Sequence, residues 1–200
     1  RTRVQDQAAL ADEDCDLLFA PDVASIYPFG AEHSVSLRVP QITDTLEGAH
    51  RPGHFDGVAT VVCKLFNLVQ PDLAVFGQKD FQQLKVIERM VRDLSLPVKV
   101  MAAPTLRADD GLALSSRNQY LSAAERERAP VIHDTLLKMR ELLGQGHPWR
   151  ALEHMAEARL IRAGFAPDYA VIRCAENLAE PAAGQREGLI ALIAARLGTT

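Results

Sequence analysis

The chain has 200 residues, 48% of them hydrophobic and 24% charged, and its formal net charge at pH 7 is −4. This composition excludes a disordered chain and is typical of globular domains, and without a basic surplus we expect no nucleic-acid partner. No apolar run approaches the ~20 residues that cross a bilayer, so we expect no membrane partner. The polar start of the chain indicates no signal peptide.

The number and spacing of the cysteines indicate the cellular compartment. Cys15, Cys63 and Cys174 are odd in number and widely spaced, a pattern that supports neither a disulfide framework nor a zinc site. We therefore expect the protein to lie in the reducing cytoplasm.

Mostly short elements are predicted at the start of the chain. Polar residues with interspersed Ala and Leu predict a helix over residues 1–15, which leads into a strand at 17–20. Alternating apolar and polar residues predict another strand at 34–39. The Gly, His and Arg residues of 43–57 predict a loop.

Longer elements follow in alternation. The patterns predict a mostly buried helix over 58–69, an apolar strand over 73–76, an amphipathic helix over 79–94 and a strand over 98–102. Two buried strands joined by a helix form a β-α-β unit, in which the strands are parallel.

The pattern changes after Pro104. A capping box at Ser122–Glu125 opens a helix that is predicted to run to Leu143. A second helix is predicted over 149–163, and two further strands over 168–174 and 189–195.

We therefore predict an α/β fold class with two domains. Residues 1–104 form a Rossmann-like nucleotide-binding domain with a partial parallel sheet, and residues 105–200 form a smaller α+β domain.

The first candidate site follows the strand at 73–76. Gly77 ends this strand, and Gln78, Lys79 and Asp80 open the next helix. Ligands of open α/β sheets bind beyond the carboxyl ends of the strands, where a helix N-terminus and a lysine suit phosphate. Gln83 lies one turn later on the same face, within reach of a substrate. The alternative is that Gly77 makes only a tight turn and that the charged side chains are solvated.

Two other segments carry suitable groups. In the first, Ser115 and Ser116 precede Arg117, and two hydroxyls beside a guanidinium can bind phosphate oxygens; the alternative is a polar turn before a helix. In the second, residues 47–55 hold two glycines, two histidines and an arginine, which suggests a loop that closes over a charged ligand. His50 and His54 have no further ligands at a metal-binding spacing, so we expect no protein-bound metal.

Four blocks together resemble one enzyme family. They are RPGHF at 51–55, KLFNLVQPD at 64–72, FGQKDFQQ at 76–83 and DGLALSSRNQYL at 110–121. In this order they resemble the pantothenate synthetases, which are pantoate–β-alanine ligases of the nucleotidyltransferase-like superfamily, and the resemblance covers almost the whole chain. It implies ATP-dependent formation of a pantoyl-adenylate with release of pyrophosphate, followed by transfer of the pantoyl group to β-alanine with release of AMP.

The resemblance also implies roles for individual residues. ATP with Mg²⁺ is the cofactor implied, pantoate and β-alanine are the small-molecule partners, and a homodimer is the assembly. Lys79, Ser115 and Arg117 would be catalytic, Gln83 would bind pantoate, and Glu47 and Arg51 would belong to a loop near the active site. The implied ATP contacts are Gly77, Gln78, Lys79, Asp80, Leu106, Leu114, Ser115, Ser116 and Arg117.

The sequence also departs from the family pattern. Gln78 stands where an acidic residue is usual, and Asp56 stands where a basic residue is common. The family's HIGH-type His-x-Gly-His motif lies outside these residues, and we expect the native protein to carry it upstream of Arg1. Two alternatives therefore stay open: a non-catalytic, nucleotide-binding or dimer-forming fragment, and another adenylyl-transferring enzyme of the superfamily.

Overall fold

The computed structural model describes residues 3–200. By its internal packing the chain divides into one unit that ends at Ser36 and a second unit, Leu37–Thr200. The domain boundary after residue 104 stays a prediction. None of the described helices is both long enough and apolar enough to span a membrane.

The elements within residues 3–200 are these. The α-helices are α1 (Arg3–Asp12), α2 (Val23–Ile26), α3 (Glu47–His50), α4 (His54–Val69), α5 (Phe81–Asp93), α6 (Ala123–Arg128), α7 (Val131–Gly144) and α8 (Trp149–Arg162). The strands are β1 (Leu73–Gly77), β2 (Lys99–Ala103), β3 (Ala166–Cys174) and β4 (Leu189–Arg196). Short 3-10 helices cover Ala31–His33, Gln78–Asp80 and Ser116–Tyr120.

The predicted β-α-β unit is confirmed. Strands β1 and β2 pair in parallel, with a register that runs from Leu73 opposite Lys99 to Gly77 opposite Ala103, and α5 connects them. Since the carboxyl ends of both strands lie at one edge, the segment that follows Gly77 begins at this edge. The α/β fold class is therefore correct.

Two predicted strands in the first part of the chain are wrong. Residues 17–20 and 34–39 have no strand structure, because a strand requires a hydrogen-bonded neighbour and neither segment pairs with another among residues 3–200. The helix predicted over 1–15 is observed as α1, and its first two positions lie outside the described residues.

Two other predictions need correction. The loop predicted over 43–57 contains α3 and the first turn of α4, because Phe55 is buried together with Ala59 one turn later on the same helix face. The helix predicted from Ser122 to Leu143 is divided into α6 and α7 at Pro130. Proline has no N–H, so it cannot donate to the carbonyl one turn earlier. The capping box between Ser122 and Glu125 is present.

Strand β4 lies between two hydrophobic clusters. Leu189, Ala191, Ile193 and Ala195 pack against the cluster formed with α7 and α8. Ile190 and Leu192 pack against the cluster formed with α4 and α5. This alternation follows from the two-residue period of a strand. The antiparallel pair β3–β4 is thereby packed against both hydrophobic clusters.

Candidate active site

A cavity of about 490 Å³ lies where the chain leaves β1. Gln78 and Lys79 line it from the 3-10 turn after that strand, and Ser115 and Arg117 line it from a separate loop. The other walls come from the loop around Arg107, from α7 and from β4. This volume is in the range of small-molecule sites, roughly 300–1,000 Å³.

Two positive charges at this cavity have no acidic partner among the described residues. Lys79 and Arg117 are exposed, and neither forms an ion pair within the described part of the chain. The two side chains come from segments that are far apart in sequence and line one space. They are therefore available to an anionic ligand.

Backbone and side-chain hydrogen bonds shape the loop that carries Ser115 and Arg117. The N–H of Leu114 donates to the carbonyl of Leu106 at 2.9 Å, and the Arg107 guanidinium donates to the carbonyl of Gly111 at 3.0 Å. The Ser115 hydroxyl oxygen accepts from the backbone N–H of Arg117 at 3.2 Å. These bonds fix the backbone position from which the Arg117 side chain extends.

A buried glutamine attaches a second segment to the start of α5. Gln82 is 5% exposed, and its Nε2 donates to the carbonyls of Ile42 and Thr45 at 2.8 and 2.7 Å. Its Oε1 accepts from the backbone N–H of Glu47 at 3.1 Å. Helix α3 is thus held next to the turn that carries Lys79.

On α3, Glu47 pairs with Arg51 at 3.2 Å. The ring of His50 lies 6.4 Å from the ring of Tyr169 on β3, measured between centroids. Burial raises the pKa of Tyr169 to about 12, and the carboxylates of Glu47, Asp168 and Asp80 add to this. Since both Glu47 and Asp80 act on one phenol, α3 lies near the turn after β1.

His54, at the start of α4, has a lowered pKa. Burial is the main cause, and the positive charge of Arg51 contributes. Both effects disfavour the charged imidazolium.

The predicted site residues fall into three groups. Gln78, Lys79, Ser115 and Arg117 line the cavity together. Five more are sequence neighbours of lining residues and do not themselves line it: Gly77, Asp80, Leu106, Leu114 and Ser116. Gln83, Glu47 and Arg51 do not line it either.

The sequence analysis missed three residues of this region: Gln82, Tyr169 and His133. Gln82 could have been found from the helix period, because it shares the buried face of α5 with Val86 and Met90. Nothing in the local sequence marks Tyr169 or His133, which approach the region from other elements.

Comparison with known proteins gives the family. The family model for pantoate-β-alanine ligase matches residues 1–200. The chain belongs to the pantoate–β-alanine ligase family. The pantothenate synthetase of Pseudomonas fluorescens is 52% identical over 201 residues, which is all of this chain and 70% of that protein. The Stutzerimonas stutzeri pantothenate synthetase is 54% identical over 100% of this chain and 70% of its own length.

Solved structures of pantoate–β-alanine ligases have the same fold. The pantothenate synthetase of Thermus thermophilus matches 98% of this chain and 71% of its own, with a TM-score of 0.90 and 47% identity. The Francisella tularensis ligase, described as a complex with β-γ ATP and β-alanine, matches 85% of this chain and 61% of its own with a TM-score of 0.68 and 32% identity.

The described residues offer no cluster of three or more His, Cys, Asp or Glu side chains that would hold a metal ion.

Proposed function

We propose that this chain carries out the ATP-dependent condensation of pantoate with β-alanine to pantothenate, through a pantoyl-adenylate. Membership of the pantoate–β-alanine ligase family supports the reaction. The observation that carries the assignment to this cavity is that Lys79 and Arg117 line one space and form no ion pair within residues 3–200.

The first step is an in-line displacement. A carboxylate oxygen of pantoate attacks the α-phosphorus of ATP, the bond to the bridging oxygen breaks, and pyrophosphate leaves. Negative charge develops on the phosphates, and Lys79 and Arg117 stabilise it electrostatically. Ser115 donates a hydrogen bond to a phosphate oxygen, and Mg²⁺ bound to the triphosphate would supply further positive charge for the same stabilisation.

The second step forms the amide. The amine of β-alanine attacks the acyl carbon of the adenylate, AMP leaves with both electrons of the broken C–O bond, and the nitrogen loses a proton. No side-chain nucleophile is required in either step, so positioning and charge stabilisation supply the catalysis.

Neighbouring residues complete the proposed ATP contacts. Leu106 and Leu114 are 69% and 54% exposed and are joined by a backbone hydrogen bond, so their apolar surfaces can cover the nucleotide base. Gly77, Gln78, Asp80 and Ser116 flank the phosphates. The side chain of Gln83 makes no hydrogen bond within residues 3–200, which leaves its amide available to pantoate, and Glu47 and Arg51 border the site from α3.

Pantoate-dependent exchange of labelled pyrophosphate into ATP, measured in the protein that contains this chain, tests the proposal. Lys79→Gln is expected to lower the exchange rate by about 100-fold, the loss typical of removing one electrostatic stabiliser. Lys99→Gln is the matched control, because Lys99 is exposed in β2 and does not line the cavity. Exchange in Lys79→Gln at the rate of Lys99→Gln would disprove the role of Lys79.

The same assay separates the other candidates. Exchange that depends on another acid would identify a different adenylyl-transferring enzyme, and ATP binding by calorimetry without exchange would identify a non-catalytic nucleotide-binding fragment.

The assembly and compartment belong to the same proposal. We propose a homodimer in the cytoplasm, supported by large apolar side chains exposed in the first unit, such as Leu17 and Phe29 at 81% each, and by three free cysteines. Light scattering after size exclusion gives the mass that tests the dimer.

A further inference from the structure

A second cavity, of about 330 Å³, lies next to the first on the far side of Arg107 and His133. These two residues line both cavities, and Leu136, Ile190 and Ala191 are also shared. The second cavity does not include Lys79, Ser115 or Arg117. It is therefore a separate chamber that borders the proposed ATP site.

The walls of this chamber are mostly apolar. They come from α7, β3 and β4, and they include Met139 at 0% and Ile172 at 1% exposure. Leu137 on α7 is 40% exposed, so the chamber reaches the surface. A wall of this kind accommodates a hydrocarbon chain, because removing apolar surface from water is favourable.

The polar groups of the chamber are all basic. Arg107, Arg140 and His133 line it, and no Asp or Glu among the described residues does. Neither arginine forms an ion pair within residues 3–200. The Arg107 guanidinium has one hydrogen-bond acceptor, the carbonyl of Gly111. Positive charge next to apolar walls is complementary to an anion that carries an apolar chain.

His133 supplies an independent observation. Its Nδ1 is buried and has no hydrogen-bond partner among the described residues. Nearly all buried polar atoms in proteins have such a partner, so this nitrogen keeps an unused hydrogen-bonding capacity where the two cavities meet. The imidazole is fixed in this place by close packing, because a Cβ at Gly111 would overlap the ring.

We propose that this chamber binds a monocarboxylate with an unbranched apolar chain of medium length. The carboxylate lies between Arg107, Arg140 and His133, whose donors match its oxygens, and the chain lies against the leucines and Ile172. This site is distinct from the ATP site, and its occupancy does not depend on the ligase reaction.

Octanoate is the probe, titrated into the protein by isothermal calorimetry. Octanamide has the same chain and shape without the charge, and acetate has the charge without the chain. Octanoate is expected to bind at millimolar or lower concentration, and both analogues at least about tenfold more weakly. Octanamide loses the hydrogen bonds to a charged group, and acetate loses the buried apolar chain. Octanamide binding as tightly as octanoate, or no octanoate binding at millimolar concentration, overturns the proposal.

Substitutions test which cavity binds the carboxylate of octanoate. Arg140→Gln is expected to raise the Kd of octanoate about tenfold, and because Arg140 is exposed this variant leaves the fold intact. Arg92→Gln removes an exposed arginine of α5 that lines neither cavity and is expected to leave the Kd unchanged. Lys79→Gln is expected to do the same. If Lys79→Gln raises the Kd of octanoate as much as Arg140→Gln does, octanoate binds in the first cavity and the proposal is overturned. An unchanged Kd in Arg140→Gln would also overturn it.

Discussion

The amide of Gln82 accepts a hydrogen bond from the backbone N–H of Glu47 at 3.1 Å and donates to two carbonyls of the same loop. The first turn of α5, which directly follows the turn that carries Lys79, therefore also holds α3. Two proposed parts of the site, which are separate in sequence, depend on the start of a single helix.

Gln82→Ala is expected to destabilise the protein by about 2–4 kcal/mol. The change leaves one N–H and two carbonyls without partners in a buried position, and each such group costs about 1–3 kcal/mol before water partly compensates. Urea unfolding measures the loss. A variant with unchanged stability would show that Gln82 does not hold the loop.

The neighbouring glutamine is expected to behave in the opposite way. The side chain of Gln83 makes no hydrogen bond within residues 3–200, so Gln83→Ala is expected to change stability by less than about 0.5 kcal/mol. If Gln83 binds pantoate, the same variant raises the KM for pantoate about tenfold or more, while the KM for ATP is retained. Steady-state kinetics with each substrate varied gives both values, and an unaltered KM for pantoate contradicts this role.

Both the backbone conformation at position 111 and the close contact with His133 require a glycine there. Its φ is +90°, and a Cβ there would overlap the ring of His133. Gly111→Ala is expected to cost about 2–4 kcal/mol, of which roughly 1–2 kcal/mol is the strain of the left-handed backbone. Gly184→Ala is the control, because Gly184 has a φ of +78° and open space around its Cβ position. Equal losses in the two variants would show that the contact with His133 is unimportant.

The pH dependence of stability is expected to reflect Tyr169. Burial raises the pKa of this phenol from 10.0 to about 12, so the folded state favours the neutral form. The contribution is complete below about pH 10 and is lost as the pH rises toward 12. The difference corresponds to at most about 2.7 kcal/mol, and remaining solvent contact reduces the expected loss to about 1–2 kcal/mol.

Tyr169→Phe tests this expectation. Urea unfolding on either side of this interval is expected to show a smaller loss of stability at alkaline pH in the variant than in the original protein. Parallel losses would mean that other groups control the alkaline side.

The period of the hydrophobic residues was sufficient to predict the elements whose contacts are made between residues close together in sequence. The β-α-β unit around α5 and the capping box at Ser122 were predicted correctly, because helix faces and caps depend on residues three or four positions apart. The strands predicted at 17–20 and 34–39 failed for the opposite reason, since alternation does not reveal whether a second strand is present to pair with.

The sequence by itself determined the family, the parallel β-α-β unit and the residue types suited to phosphate chemistry, because motifs and periodicity are carried by neighbouring residues. Only the tertiary structure decided that Lys79 and Arg117 share a cavity and that Arg107, Arg140 and His133 surround a second chamber. It also decided that the Gln82 side chain is structural, while that of Gln83 makes no hydrogen bond within residues 3–200. These relationships join residues far apart along the chain, and their distances depend on how β4, α7 and the loops pack against one another.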